Sequence, residues 1–184
     1  MVNRARWILA LVGSLLLAHA DAATYPHIAF EPESPRFAAA TKEYQEIWAT
    51  EGARIDAALA QATGLPMEDG PIRAIVYNGI SSSGYPGWPM RMRADLARDT
   101  KRATLVHELG HRLQVGVAGD EDEHEVLFLW IYDVWTTLWG KQFADQQVIV
   151  ERARRGPYPR AWDAALALNA TERAEKFRRL KDRK

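Results

Sequence analysis

The sequence contains no cysteine among its 184 residues. Disulfide bonds, a thiolate metal site and a cysteine nucleophile are therefore excluded, and so is the lipid-modified cysteine of a bacterial lipoprotein. The folded chain must be held together by its hydrophobic core, by a bound metal ion, or by both.

The chain also lacks an excess of either charge, because 24 Lys and Arg residues balance 24 Asp and Glu residues. This balance favours neither nucleic acid nor an anionic membrane surface as a partner. Apolar residues make up 47% and charged residues 26%, which is typical of a folded protein rather than a disordered one. A chain of this length fits a single domain.

The N-terminal apolar run is too short to cross a bilayer comfortably. It covers the twelve residues from Trp7 to Ala18, whereas a spanning helix needs about 20. It follows a short basic start and precedes small residues at Ala20 and Ala22, which suit signal peptidase. We expect residues 1–22 to be a cleaved export signal and residues 23–184 to form one domain with no membrane contact. An uncleaved anchor is the alternative. With no cysteine, a bacterial periplasm is the expected location.

Hydrophobic periodicity predicts an α+β fold that is mostly helical. The predicted helices cover about residues 36–62, 99–117 and 125–140, followed by two or three helices between 143 and 184. The third of these is apolar on nearly every side and should be buried in the middle of the domain. Residues 72–80 are expected to form a strand, and residues 88–96 a second strand that pairs back on the first as a hairpin.

The chemistry is expected on the helix over 99–117, which contains His107-Glu108-Leu109-Gly110-His111. Residues four apart lie one turn above each other, so His107 and His111 present two imidazoles from one face, at a spacing that suits one zinc ion. Glu108 lies about a hundred degrees round the helix from His107, so it is expected near the zinc ion without being one of its ligands. From there it can take a proton from a water molecule that zinc has made more acidic.

These residues resemble the zincin metallopeptidases, whose hallmark is His-Glu-x-x-His. The longer zincin pattern is met by Thr104, by the uncharged residues between the histidines and by Leu113, while Arg112 departs from it. The resemblance implies a bound Zn²⁺, Glu108 as the catalytic base, and a sheet edge strand that aligns a peptide or protein substrate. The strand expected over 88–96 would be that edge, and Tyr85 and Trp88 before it could line a substrate cleft.

The third zinc ligand is less determined by the sequence. A metzincin would need glycine and histidine where Gln114 and Val117 stand, so that subclass is excluded. We take His124 as the third ligand because imidazole is a preferred zinc ligand. The segment after it also resembles a group of small uncharacterised exported bacterial proteins in which such a histidine precedes a Leu-Phe-Leu…Tyr-Asp-Val-Trp stretch. Glu125, as in gluzincins, and Asp133 remain alternatives.

Two further residues of the apolar helix are open to more than one interpretation. Asp133 either accepts the second ring proton of His107 or makes a structural hydrogen bond. Tyr132 either stabilises an oxyanion or packs in the core.

The expected function is a zinc-dependent hydrolase, with peptides as the substrate implied by the resemblance. The residues themselves indicate only metal-assisted hydrolysis. A zinc hydrolase of another amide, such as a cell-wall bond, is one alternative. A non-catalytic periplasmic zinc-binding or scaffold protein is the other.

Overall fold

The computed structural model describes residues 26–85, 87–119 and 121–183. The predicted export signal over residues 1–22 lies outside the described residues, so export stays a prediction. The described chain is mostly helical and carries one small sheet, which confirms the expected α+β class.

The sheet has three parallel strands in the order β1-β2-β3. Strand β1 is Ile28–Pro32, β2 is Ile72–Tyr77 and β3 is Met90–Arg93. Strand β1 falls in a stretch that sequence patterns alone left without structure. Its proline, Pro32, stands at the last position of an edge strand, where a missing N–H is tolerated.

The hairpin expected from the two strands around the 78–89 loop is wrong. Strand β3 lies beside β2 but runs parallel to it, because the loop is long enough to carry the chain back to the same end of the sheet. Strand β3 is an edge of the sheet, as expected. Its outer side is already paired, however, since Ser82 and Arg91 exchange two backbone hydrogen bonds of 2.9 Å in an antiparallel bridge.

Six helices cover most of the remaining described chain. They are α1 (Ala38–Thr63), α2 (Arg98–Leu113), α3 (Glu123–Trp139), α4 (Lys141–Arg152), α5 (Tyr158–Leu166) and α6 (Ala170–Lys181). A single 3-10 turn, Pro35–Phe37, precedes α1. The helix expected over 99–117 ends earlier than predicted, at Leu113. Beyond it Val117 hydrogen-bonds in a turn to Gln114, and Gly116 takes a positive φ of 74° that a helix cannot accommodate.

Helix α3 lies in the middle of the domain, as its apolar sequence predicts. It contacts α1, α2, α4, α5 and α6, and its six consecutive residues Val126–Ile131 are all buried. Among the described residues, no helix has both the length and the apolar character that crossing a bilayer requires.

Gly110, between the two histidines of the motif, allows α2 to approach α3 closely. A Cβ atom built on Gly110 would lie 2.5 Å from Leu127 Cδ1 and 2.7 Å from the Trp130 ring. Real Cβ atoms do not tolerate such distances, so with any larger residue the Leu127 and Trp130 side chains, or the helices themselves, must shift. The glycine therefore sets how closely α3 can bring its side chains to the motif.

We predict that Gly110→Ala destabilises the protein by about 1–3 kcal/mol, because the methyl group overpacks the α2–α3 contact. Helix propensity alone predicts the opposite sign, a gain of about 1 kcal/mol. Urea denaturation of the wild type and the variant measures the difference. In a Leu127→Ala background the cost of Gly110→Ala should shrink, since part of the clash has been removed. A variant more stable than the wild type would contradict the prediction.

Candidate metal centre

Three histidines from two helices converge on one point. His107 and His111 come from α2 and His124 from the first turn of α3, whose N-cap residue Asp122 accepts a 2.9 Å hydrogen bond from the His124 backbone N–H. The facing Nε2 atoms of His107 and His111 are 3.1 Å apart, and one ligand atom of each histidine lies within 4.8 Å of the other two. Tetrahedral zinc bound at 2.0–2.1 Å separates its ligand atoms by about 3.4 Å. The cluster therefore has the size of a zinc site.

The electrostatic environment keeps two of these imidazoles neutral. Burial, together with the nearby charge of His107 and His124, lowers the pKa of His111 to about 2. Burial and the charge of His107 lower the pKa of His124 to about 4, against the opposite effect of Asp122. Neutral imidazoles have a free lone pair, which a metal ligand needs. Three nitrogen donors are also a known ligand set of catalytic zinc, which leaves a fourth position for water or substrate. The residues present thus fit a zinc ion.

Glu151, from α4, orients His107. Its Oε1 lies 2.8 Å from Nδ1 of His107, and both side chains are almost fully buried. The other carboxylate oxygen accepts a 3.1 Å hydrogen bond from the Trp162 indole. Burial opposes the charged imidazole, but the carboxylate outweighs it and raises the pKa of His107. A carboxylate on the second ring nitrogen fixes which nitrogen faces the metal. Sequence analysis missed Glu151, although it continues the buried stripe of Ala144 and Val148 at helical spacing.

Of the two interpretations of Asp133, the structure supports a structural role and not a contact with His107. The carboxylate of Asp133 accepts two hydrogen bonds from one edge of the Arg173 guanidinium from α6, with Oδ2 3.1 Å from Nε and Oδ1 2.6 Å from Nη2. The alternative ligand Glu125 is likewise engaged elsewhere, 3.4 Å from a nitrogen of Arg160. Of the three candidate third ligands, the structure brings only His124 to the histidine pair.

Glu108 is buried next to the histidines. Only 4% of the residue is exposed, and its carboxylate makes no hydrogen bond that involves the described residues. Burial raises the pKa of Glu108 to about 7, although the positive charges of His107 and Arg154 oppose this. A carboxylate with such a pKa and no fixed hydrogen bond is able to accept and release a proton near neutral pH.

Tyr158, at the start of α5, covers the histidines on one side. Its ring centroid is 4.4 Å from that of His124, and the ring stacks on His107 at 5.9 Å and 11°. Its hydroxyl accepts a 3.3 Å hydrogen bond from Arg154. No pattern in the sequence singled out this tyrosine. The tyrosine that the sequence did suggest, Tyr132, donates its hydroxyl proton to Asp145 instead and does not line the cluster.

Arg112, the departure from the zincin pattern, holds the 83–88 loop against α2. Its side chain is 3% exposed and contacts Glu68, with one hydrogen bond of 2.6 Å from Nε. Its Nη1 donates to the backbone oxygens of Ser83 and Trp88, at 2.8 and 2.9 Å. The positive charge next to the second histidine thus fixes the loop beside the cluster.

Two clefts flank the histidine cluster. The His111 cleft, about 310 Å³, is lined by Ser82–Tyr85, His111, Val115 and Glu123. The Tyr158 cleft, about 440 Å³, is lined by Tyr158 and Arg154 together with Ile80 and Ser81. The segment 80–85 therefore borders both clefts. Of the two aromatic residues expected to line a cleft, Tyr85 lines the His111 cleft and Trp88 lines neither. Two larger surface clefts, about 540 and 520 Å³, lie around His27 and are lined by no residue of the cluster.

Comparison of the chain with protein-family models, with curated proteins and with solved structures finds no match. Functional inference therefore rests on the site itself.

We predict that Glu151→Gln weakens zinc binding by about 10–100-fold, because the amide orients His107 less strongly than the carboxylate does. Asp133→Asn is the matched control and should leave the affinity unchanged, since Asp133 serves Arg173 instead. Competition with a chromogenic chelator measures both affinities. The reverse order of effects would mean that Asp133 is the partner of His107 after all.

We also predict that His124→Ala weakens zinc binding at least ~100-fold, because one of three protein ligands is lost. Glu125→Ala, one position along the same helix turn, should bind zinc as the wild type does. Chelator competition and the zinc content of the purified protein provide the measurement. Loss of zinc in Glu125→Ala with retention in His124→Ala would assign the third ligand to Glu125.

A further prediction concerns Arg112. Arg112→Gln should cost about 3 kcal/mol of folding free energy, because it leaves Glu68 and two loop carbonyls without their buried partner. It should also make the 83–88 loop sensitive to limited proteolysis. Arg98→Gln, at an exposed position on the same helix, should change stability by well under ~1 kcal/mol. A loop in Arg112→Gln as protease-resistant as that of the wild type would refute the assigned role.

Proposed function

We propose that this protein is a zinc-dependent hydrolase that cleaves peptide bonds, with His107, His111 and His124 as metal ligands and Glu108 as general base. The observation that carries the proposal is the convergence of three imidazoles beside a buried glutamate. When bound, zinc would supply Lewis acidity, polarising the scissile carbonyl and making the attacking water more acidic. Structural zinc would not need Glu108, which argues against a scaffold protein.

In the proposed reaction, Glu108 carries out both proton transfers. It accepts a proton from the attacking water while the water oxygen bonds to the carbonyl carbon. It then delivers that proton to the leaving nitrogen as the C–N bond breaks, so that a carboxylic acid and an amine are released. Glu151 keeps His107 in a single orientation throughout, because it remains 2.8 Å from the outer ring nitrogen.

The developing negative charge on the carbonyl oxygen needs a hydrogen-bond donor. Tyr158 is the candidate, since its ring lies against His107 and His124. Its hydroxyl accepts from Arg154, which leaves the hydroxyl proton available for a substrate oxygen. A donor held in place before the reaction stabilises such a charge without reorganisation.

A peptide is the favoured substrate because the segment 81–84 offers a sheet edge next to the cluster. Ser82 uses its backbone groups on Arg91 of β3, so the backbone groups of Ser81 and the N–H of Ser83 face the opposite side, while the Ser83 carbonyl accepts from Arg112. An extended peptide can add to such an edge as a further strand. The aligning edge is then this segment rather than β3, whose outer side is occupied.

We predict that Glu108→Gln keeps about one zinc ion per chain but loses hydrolysis by about 100–10,000-fold, because proton transfer alone is removed. Mass spectrometry of an unbiased peptide library measures cleavage, and elemental analysis measures the metal. Glu121→Gln, an exposed acidic control, should retain full activity.

The outcomes separate the competing functions. Equal turnover by Glu108→Gln and the wild type would contradict the role of Glu108. A zinc-loaded wild type that cleaves a cell-wall amide but no peptide would establish the other amide hydrolase. A zinc-loaded wild type that cleaves neither would favour a binding protein.

A further inference from the structure

The Tyr158 cleft has walls that suit an apolar side chain. Beside the Tyr158 ring it is lined by Ile80, Leu96, Val150 and Ala153. Ile80 is 82% exposed, an unusual position for a large aliphatic residue unless something covers it. At about 440 Å³ the cleft fits a small ligand or a short piece of peptide.

All charged residues that line this cleft are arginines, namely Arg93, Arg154 and Arg155. Arg93 is neutralised by Asp95, which it contacts through two nitrogens. Arg154 lies 3.9 Å from Glu151 and hydrogen-bonds Tyr158. Arg155 is exposed, and no carboxylate of the described residues lies within ion-pair distance of it. The cleft therefore combines apolar walls with one guanidinium that has no counter-charge.

The cleft adjoins the histidine cluster. Tyr158 is shared by the cleft and the histidine cluster. Arg154, also in the cleft wall, lies 3.9 Å from Glu151, the carboxylate that contacts His107. A substrate residue in the cleft would therefore lie next to the scissile bond, and the positive charge of Arg155 suits the end of a peptide that carries a carboxylate.

We propose that the Tyr158 cleft binds the C-terminal residue of the substrate, with the apolar side chain against Ile80, Leu96 and Val150 and the α-carboxylate on Arg155. The inference rests on the proposed peptidase function and makes the protein an exopeptidase that acts from the carboxyl end. Arginine is suited to this task because its fork of N–H groups matches a carboxylate. An acidic side chain has the same chemistry, so the experiment must separate the two sources.

The test compares three matched peptides on the zinc-loaded protein: one ending in leucine with a free carboxylate, its C-terminal amide, and an amide with glutamate in place of the leucine. We expect kcat/KM for the free acid to exceed that for the leucine amide by about 10-fold, the contribution of a charge-assisted contact. In Arg155→Gln this preference should disappear, because the guanidinium that distinguishes the acid from the amide has been removed.

Arg152→Gln is the matched control. Arg152 lies three residues earlier, pairs with Asp163 and does not line the cleft, so this variant should keep the preference of the wild type. Equal cleavage of acid and amide by the wild type, or an undiminished preference in Arg155→Gln, would overturn the proposal. Faster cleavage of the glutamate amide than of the leucine free acid would overturn it too, because Arg155 would then bind a side-chain carboxylate rather than the C-terminal one.

A binding measurement separates this inference from the proposed function. Acetyl-Phe-Leu and its amide are titrated calorimetrically into zinc-loaded wild type and Arg155→Gln. Tighter binding of the acid, lost in Arg155→Gln, supports the cleft even if no peptide is hydrolysed, in which case only the proposed function fails. Hydrolysis of peptides with no difference in binding refutes the cleft and leaves the function intact.

Discussion

The close contact between α2 and α3 at Gly110 is the packing feature on which the histidine cluster depends. His107 and His111 come from one helix and His124 from the other, so the distance between the helices decides whether one ion could reach all three. A Cβ at Gly110 would overlap Leu127 and Trp130. Glycine at this position costs helix stability, yet it allows the first turn of α3 to bring His124 to the pair.

Burial of charge is the second constraint on the centre. His107, Glu108 and Glu151 are each at most 4% exposed, and isolated charges in such surroundings are strongly unfavourable. Glu151 is compensated by His107 and Trp162, whereas Glu108 has a raised pKa and no fixed partner. Among the described residues, the charge of Glu108 is thus only partly compensated. A bound cation would offset part of that cost, which links metal binding to folding stability.

The sequence predicted those parts that depend on local periodicity. The helices, the buried α3 and the pair His107 and His111 follow from spacing along a single element. Strand direction did not follow, because an apolar pattern identifies a strand and not its partner's orientation. The sequence does not determine the role of Asp133 and does not indicate Glu151 as the partner of His107, since both carboxylates stand beside apolar residues. Only the tertiary arrangement, with Arg173 beside one and His107 beside the other, distinguishes them.

One short stretch connects the metal centre to the neighbouring cleft. Glu151 orients His107, while Arg154, Arg155 and Tyr158 line the cleft, and all four lie between the end of α4 and the start of α5. The Glu151–Arg154 contact of 3.9 Å joins the two groups electrostatically. A ligand that neutralises the arginines would change the field at Glu151 and hence at His107. In the proposed zinc enzyme, occupation of the cleft and the strength of metal binding would therefore be coupled, and by linkage each would affect the other equally.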